Sequence, residues 1–275
     1  MTKRMKSIRT LLPILLVAAL VAAACTGSRP RYERVLQRAH EQNKAYDSIT
    51  NVDSLRLSAD FFDRHGTPNE RMRAHYLLGC AYRDMGDAPR ALESYHDAAD
   101  RADTTSRDCD YGLLMRVHAQ TANILTLQYL PLQALEEFDY AGHLALIAND
   151  SLSYLSLMSN KANCYYELGN ADSIIAHGEN LFKLYCTLGD STSAAYAITP
   201  YLNIVIEKGN WKEVGKWLPY TSRYLDPART EVNAMFDYYW ACFYMHNEEK
   251  DSALLYLHRM LEKNSNLNHQ ITSVH

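Results

Sequence analysis

The clearest periodic arrangement of apolar and polar residues in the chain lies between Arg71 and Asp100. Apolar and small residues recur there at helical spacing on both sides of the pair Gly86 and Asp87. A glycine followed by a short polar residue is typical of the point where one helix ends and the next begins. The pattern therefore predicts two helices joined by a short turn.

The same arrangement returns along the chain in weaker form. The predicted starts of the copies lie near Leu36, Met72, Met115, Leu155, Ala195 and Ala234, mostly 39 to 43 residues apart. The unit at Leu36 is degenerate and is predicted to serve as an N-terminal cap. An internal repeat of this length predicts a stack of similar units, each of which buries its apolar stripe against its neighbours.

Several residues of this first segment fall at the offsets that define the tetratricopeptide repeat (TPR), a helix-turn-helix unit of about 34 residues. They are Leu78, Gly79, Tyr82, Ala91, Tyr95 and Ala98. The segment resembles this family, except that His75 stands where the pattern has Trp. The resemblance implies an all-α, right-handed α-solenoid of antiparallel helix pairs over residues 32–275, with about five to six repeats. Most intervals of 39 to 43 residues exceed the usual length of about 34, which predicts longer helices or longer linkers between units, such as Asp103–Asp110 and Asn149–Ser151.

Three local features are expected to modify the repeats. Pro200 and Pro219 fall within predicted helices and should kink or shorten them, because proline removes a backbone hydrogen bond. Asp172 or Ser173 is predicted to cap the second helix of the repeat that starts near Leu155.

Residues 268–275 are predicted to open a further, incomplete repeat. Truncation of a longer protein is the preferred interpretation, against a chain that stops within a repeat or one whose last unit is covered by a partner.

The composition favours packed helices and carries no cysteine framework. The chain is 47% hydrophobic, with 11 Gly and 8 Pro among 275 residues, which excludes wholesale disorder. Besides Cys25 there are five cysteines, and no two have the CxxC spacing of a zinc site or redox motif. We expect them to be small residues buried between helices.

The first 24 residues have the composition of an export signal. Their four basic residues are Lys3, Arg4, Lys6 and Arg9. The apolar run 11–24 that follows is short for a transmembrane helix. The small residues 22–24 end directly at Cys25, which resembles the lipobox of bacterial lipoproteins and implies a lipidated N-terminus, with ordinary cleavage as the alternative. Residues 25–31 are then a tether, and the lack of an acidic cluster after Cys25 favours the periplasmic side of a Gram-negative membrane.

Charge and motif content narrow the functional classes. Without the predicted signal the chain loses four of its 28 basic residues and none of its 32 acidic ones, so the net charge becomes −8. This balance argues against nucleic acid as a partner. The sequence contains no HExxH, no GxSxG, no phosphate-binding glycine loop and no EF-hand spacing, and its histidines lie at scattered repeat positions. We therefore expect no enzyme, no metal site and no cofactor.

In TPR arrays, positions 2, 5, 9, 12 and 13 of each first helix face a concave groove, and the resemblance implies the same here. Position 9 holds Cys80, Asn123, Asn163, Asn203 and Cys242. The three asparagines resemble the asparagine ladders by which some related arrays hold extended peptides, since an amide both donates and accepts hydrogen bonds. The alternative is that these amides bond to neighbouring helices and set the repeat geometry.

Charged and aromatic residues occupy the other groove positions. Position 2 holds Arg73 and Arg116, position 5 holds Tyr76 and Tyr238, and position 12 holds Arg83 and Tyr166. The arginines would suit an acidic segment or a C-terminal carboxylate of a partner, and the tyrosines would add amphipathic contact area. A solvated polar face is the alternative. Glu167 and Glu207 at position 13 predict a more acidic groove in the later repeats.

Together these features predict a non-enzymatic lipoprotein that binds a protein or extended peptide and acts as a periplasmic scaffold or adaptor. It would be anchored to a membrane through Cys25. One alternative is the periplasmic sensor or input domain of a membrane regulator, motivated by the incomplete repeat at 268–275. A second is an accessory lipoprotein for glycan uptake, which would need aromatic platforms, although Trp211, Trp217 and Trp240 fall at packing positions or helix starts.

Overall fold

A computed structural model describes residues 29–272 of the chain. These residues form helices and connecting segments, with no strand among them. The predicted signal, Cys25 and residues 26–28 of the predicted tether lie outside the described residues. Residues 29–31, also predicted to be tether, already belong to the first helix.

The helices follow one another with short connections. The first, α1, covers residues 29–44. It is followed by α2 (Val52–His65), α3 (Pro68–Asp84), α4 (Ala88–Asp100), α5 (Tyr111–Leu127), α6 (Pro131–Ile147), α7 (Ser151–Glu167), α8 (Ala171–Thr187), α9 (Ser191–Ala197), α10 (Thr199–Glu207), α11 (Trp211–Thr221), α12 (Thr230–His246) and α13 (Lys250–Thr272). The chain divides into two compact units, with the boundary between Ile124 and Leu125. Packed pairs of consecutive helices include α2 with α3 and α3 with α4 in the first unit, and α6 with α7 and α12 with α13 in the second.

Helix length explains the repeat interval. Each of α5, α6, α7 and α8 has 17 residues, and three-residue turns separate them. Two such helices and two such turns fill the 40 residues between Met115 and Leu155. A longer connection at residues 101–110 accounts for the wider interval of 43 residues between Met72 and Met115, as predicted from Asp103–Asp110. The predicted linker Asn149–Ser151 is wrong, because Ser151 already begins α7 and only an ordinary turn precedes it.

The three-residue turns share one backbone geometry. Their middle residue has a positive φ, and these residues are Gly86, Tyr129, Asn149, Gly169, Gly189, Gly209 and Glu248. This left-handed conformation ends a helix; glycine adopts it freely, whereas other residues lose about 1–2 kcal/mol.

The next residue of most turns caps the following helix. Asp87, Asp150, Asn170, Asp190 and Asn210 each accept a hydrogen bond from the backbone N–H three residues ahead. The cap of α8 is therefore Asn170, and the predicted caps Asp172 and Ser173 are wrong. Ser173 instead donates its backbone N–H to Asn170 at 3.0 Å.

In the N-terminal unit, α3 and α4 meet where a small residue faces a large one. A Cβ added to Gly79 would lie 2.5 Å from Cε1 of Tyr95. Tyr95 is fully buried, as are Ala91 and Ala98 on the same face of α4. The glycine and the two alanines therefore let the helices approach closely around the tyrosine ring, which is the physical reason for the small residues of the sequence pattern.

In the C-terminal unit, proline interrupts the helices as predicted. The place of a single first helix is taken by α9 and α10, which are separated at Ile198, and Pro200 lies in the first turn of α10. Pro219 lies inside α11, which ends two residues later and continues as a one-turn 3₁₀ helix, Ser222–Tyr224. Helix α13 runs without a break to Thr272, so residues 268–272 continue that helix and do not open a new one.

Candidate binding site

Three first helices of the N-terminal unit, α1, α3 and α5, surround a cavity of about 680 Å³. Its lining consists of Gln37, His40, Asn43, Lys44, Arg73, Tyr76, Asp110, Leu113 and Arg116. An adjoining cavity of about 510 Å³ shares four of these residues and extends to Arg83. We call the two together the basic cavity. Four predicted groove residues, Arg73, Tyr76, Arg83 and Arg116, are thus brought together.

Three permanent cations line the larger cavity without a carboxylate partner among residues 29–272. Arg73 donates a 2.9 Å hydrogen bond from Nη2 to the amide oxygen of Gln37. Lys44 and Arg116 are exposed. The carboxylate of Asp110 accepts a 2.8 Å hydrogen bond from the backbone N–H of Leu113 and so caps the N-terminus of α5. The cavity therefore carries positive charge that an anionic ligand would neutralise.

The floor of the basic cavity is held by hydrogen bonds. Arg83 donates to Gln120 and to Asn43, each at 3.0 Å, and to the carboxylate of Asp84. Its guanidinium thus ties α1 and α5 to α3, whereas the sequence placed it among the residues that contact a ligand. Tyr76 is only 3% exposed and accepts a hydrogen bond from Nδ2 of Asn43 at 3.4 Å. It forms the floor and offers little contact area, and burial raises its pKa so that the phenol stays neutral.

His40 is the titratable residue of this lining with an ordinary pKa nearest to neutrality. Partial burial lowers the pKa of its imidazole, and the positive charges of Arg73, Arg116 and Lys44 lower it further. The negative charge of Glu41 has the opposite effect and raises the pKa of His40. His40 is therefore neutral at pH 7.

The asparagines of the predicted ladder have different surroundings. Asn123 is half-buried on α5, Asn163 is exposed on α7, and Asn203 is half-buried on α10. The side-chain oxygen of Asn203 accepts a 2.6 Å hydrogen bond from the hydroxyl of the buried Tyr239. That contact fits the alternative in which such amides set the repeat geometry. A peptide-binding role for Asn123 and Asn163 stays a prediction.

The two remaining predicted groove residues lie in the C-terminal unit. Tyr166 on α7 is 49% exposed and Tyr238 on α12 is 46% exposed, so both rings are open to solvent. Glu167 and Glu207 are exposed as well. Their contribution to a groove stays a prediction.

Sequence reasoning missed six of the nine residues that line the larger cavity, although for three of them the sequence carried a signal. Counted from Leu36, Gln37, His40 and Lys44 occupy positions 2, 5 and 9, the columns that hold Arg73, Tyr76 and Cys80 in the next repeat. The apolar residues of the degenerate unit indicated a packing role for that unit. The signal for the three cavity residues lay in their repeat positions, which are groove positions in the other units.

Other kinds of site find no support in the described residues. Between residues 29 and 272, no group of three or more His, Cys, Asp or Glu side chains could hold a metal ion. No helix in that range has the length and apolar character required to cross a bilayer. Its cysteines, Cys80, Cys109, Cys164, Cys186 and Cys242, are free thiols.

No family model matches the chain, and no curated protein matches it either. Solved structures do resemble it. BtubC from P. vanneervenii superposes with a TM-score of 0.63 at 13% identity, over 86% of this chain and 92% of that chain. A kinesin light chain from Podosopora anserina with nearly identical TPR-like repeats gives a TM-score of 0.54 at 14% identity, over 73% and 97%. A Rap protein complexed with competence and sporulation factor gives 0.50 at 13% identity, over 85% and 74%.

At such low identities the likeness concerns the fold alone. It agrees with the 17-residue helices, the three-residue turns and the packing of small against large residues described above. The chain has an all-α, TPR-like solenoid fold built of antiparallel helix pairs.

Proposed function

We propose that this chain is a non-enzymatic scaffold that binds a protein or extended peptide, and that an acidic segment of the partner occupies the basic cavity. The observation that carries the proposal is the set of Lys44, Arg73 and Arg116 around one cavity, without a carboxylate partner in residues 29–272. Hydrogen bonds between such cations and carboxylates are about twice as strong as neutral ones.

The charge of the whole chain sharpens this proposal. The formal net charge at pH 7 is −4. The net charge of the chain would therefore repel an acidic partner, and a cavity lined by cations would direct such a partner to one place. A C-terminal carboxylate and an acidic side chain are equivalent ligands for this chemistry.

The fold supports a binding role. Stacked helix pairs offer extended surfaces that can follow a peptide. The Rap protein of the same fold class, solved with competence and sporulation factor, supports the proposal that this chain also holds a partner. In this proposal Asn123 of the same unit supplies a further contact, and Arg83 and Tyr76 keep Asn43 in place. Asn163, Tyr166 and Tyr238 are proposed, separately, to contact a partner on the C-terminal unit.

The proposal includes the location of the protein. The chain would be exported, lipidated at Cys25 and anchored to a membrane on the periplasmic side, where it would act as an adaptor. The basic and apolar composition of residues 1–24 and the small residues before Cys25 support this part.

A fluorescently labelled hexa-aspartate peptide tests the binding function. The full chain, purified in mild detergent, is titrated with the peptide at pH 7 and low ionic strength, and fluorescence anisotropy gives Kd. The double variant Arg73→Gln/Arg116→Gln should weaken binding at least about tenfold, or about 1.4 kcal/mol, because two charge-assisted contacts are lost.

The matched control is Arg31→Gln/Arg107→Gln, which removes the same charge from exposed positions outside the cavity lining. It should bind the peptide as the wild type does. An equal loss in both double variants would indicate general charge attraction, and failure of the wild type to bind would also contradict the proposal.

A further inference from the structure

His40 has a distinctive place within the basic cavity. It lies on α1 one turn before Lys44, and Arg73 of α3 and Arg116 of α5 line the same space. Among the residues of that lining, it alone can gain or lose a proton close to neutral pH.

We propose that binding of an anionic partner in the basic cavity is coupled to protonation of His40, so that the partner is held more tightly as the pH falls from about 7.5 to about 5.5. The inference rests on the proposed function, because it requires an anion in this cavity.

The charges around His40 come from all three helices. On α1 these are Lys44 and Glu41, on α3 Arg73, and near the start of α5 Arg116 and Asp110. Tyr76 of α3 is neutral because burial raises its pKa. The cations outnumber the carboxylates, and both burial and the cations disfavour a charged imidazole in the empty cavity.

Glu41, the carboxylate whose charge raises the pKa of His40, is occupied elsewhere. The side-chain nitrogen of Gln37 donates to Glu41 at 2.8 Å, while its oxygen accepts from Arg73. Glu41 is therefore held by an amide, and no described ion pair joins it to the cations of the cavity. The field at His40 stays positive until a ligand brings its own negative charge.

An anion in the cavity reverses this balance. Its carboxylates offset the field of the cations and raise the pKa of His40 towards and above its ordinary value. The complex then binds more protons than the free protein does, so the affinity for the anion must increase as the pH falls between the two pKa values of His40. One linked proton allows at most about a tenfold change in Kd per pH unit.

Protonation also changes what the ring can donate. A neutral imidazole donates from one nitrogen, whereas the imidazolium donates from both. The second donor gives the ligand a further charge-assisted hydrogen bond beside those from Lys44 and Arg116.

Isothermal titration calorimetry with an acetylated, amidated hexa-aspartate peptide tests the coupling. The full chain in detergent is titrated at about pH 5.5, 6.5 and 7.5, each in two buffers that differ in ionisation enthalpy, so that proton uptake is measured directly. Aspartate side chains, with a pKa of about 3.9, stay ionised over this range. The wild type should show a Kd at least about threefold lower at pH 5.5 than at pH 7.5, together with proton uptake near pH 6.5.

His40→Gln keeps a polar side chain but cannot titrate. It should lose both the proton uptake and the pH dependence, so that its Kd at pH 5.5 lies within about twofold of its own Kd at pH 7.5. His96→Gln is the matched control, because His96 is exposed on α4 and does not line the cavity; it should behave as the wild type.

The outcomes separate the two proposals. If His40→Gln retains the pH dependence while Arg73→Gln/Arg116→Gln weakens binding, the coupling is overturned and the binding site stands. If Arg73→Gln/Arg116→Gln binds the peptide as the wild type does, the proposed function itself fails. Should His40→Gln not fold, the NMR titration of the His40 ring in the wild type gives its pKa with and without peptide; an upward shift on binding supports the coupling, and an unchanged pKa overturns it.

Discussion

Gly79 provides a sharp test of the packing between α3 and α4. In a helix, Gly→Ala ordinarily stabilises by about 0.5–1 kcal/mol. At Gly79, however, the added Cβ would lie 2.5 Å from Cε1 and 2.6 Å from Cδ1 of Tyr95. Tyr95 is fully buried, so its ring has no open space to enter. Overpacking of this kind costs about 1–3 kcal/mol, and Gly79→Ala should therefore lower the free energy of unfolding by about 1–2 kcal/mol.

Urea unfolding followed by far-ultraviolet circular dichroism measures this loss as a lower midpoint. Gly112→Ala is the matched control, since its Cβ would meet only the carboxylate of Asp110 at 3.5 Å, an ordinary contact. That variant should be as stable as the wild type or slightly more stable. A midpoint for Gly79→Ala equal to or above that of the wild type would refute the packing described for Tyr95.

Three further predictions concern an ion pair, a turn and the N-terminus. Asp63→Asn should destabilise the protein at pH 7, because Arg101 donates two hydrogen bonds to the Asp63 carboxylate and holds its pKa below the usual value. Since a depressed pKa stabilises the fold only while the carboxylate is ionised, the difference in urea midpoint should shrink as the pH falls below about 4, and a difference that grows there would contradict this. Gly169→Ala should cost about 1 kcal/mol through its positive φ of 62° alone, as no atom lies near the new Cβ, and an unchanged midpoint would argue against this turn geometry. Metabolic labelling with a fatty-acid analogue should mark the wild type and spare Cys25→Ser, whereas label on both would contradict lipidation at that residue.

The helix pairs could be predicted from the sequence because their signals are local. Gly86 with Asp87 and Gly169 with Asn170 each place a residue that tolerates positive φ before one that caps a helix. From Tyr129 to Gly209 such turns recur every 20 residues, which is half of the repeat interval. One of these turns has a weaker sequence signal, because neither Tyr129 nor Leu130 is a usual turn residue. The side chain of Leu130, at the N-cap position of α6, makes no capping hydrogen bond.

The basic cavity could be predicted only in part. Arg73 and Arg116 follow from their column in the repeat. Tyr76 and Arg83 both form hydrogen bonds with Asn43 of the degenerate unit, which lies 33 residues from Tyr76 and 40 residues from Arg83, so no local sequence pattern predicts these contacts. The hydrogen bond between Asn203 and Tyr239 could not be predicted for the same reason, because the two residues are 36 positions apart in the sequence.

The central claim is that an acidic partner is held in the basic cavity of the N-terminal unit. Photo-crosslinking tests it most directly: a hexa-aspartate peptide with a terminal benzophenone is irradiated with the full chain, and mass spectrometry locates the attachment. We expect crosslinks at residues of the cavity lining, such as Gln37 and Leu113, and their loss in Arg73→Gln/Arg116→Gln. Crosslinks confined to residues 125–272, or unchanged crosslinks in the double variant, would contradict the claim.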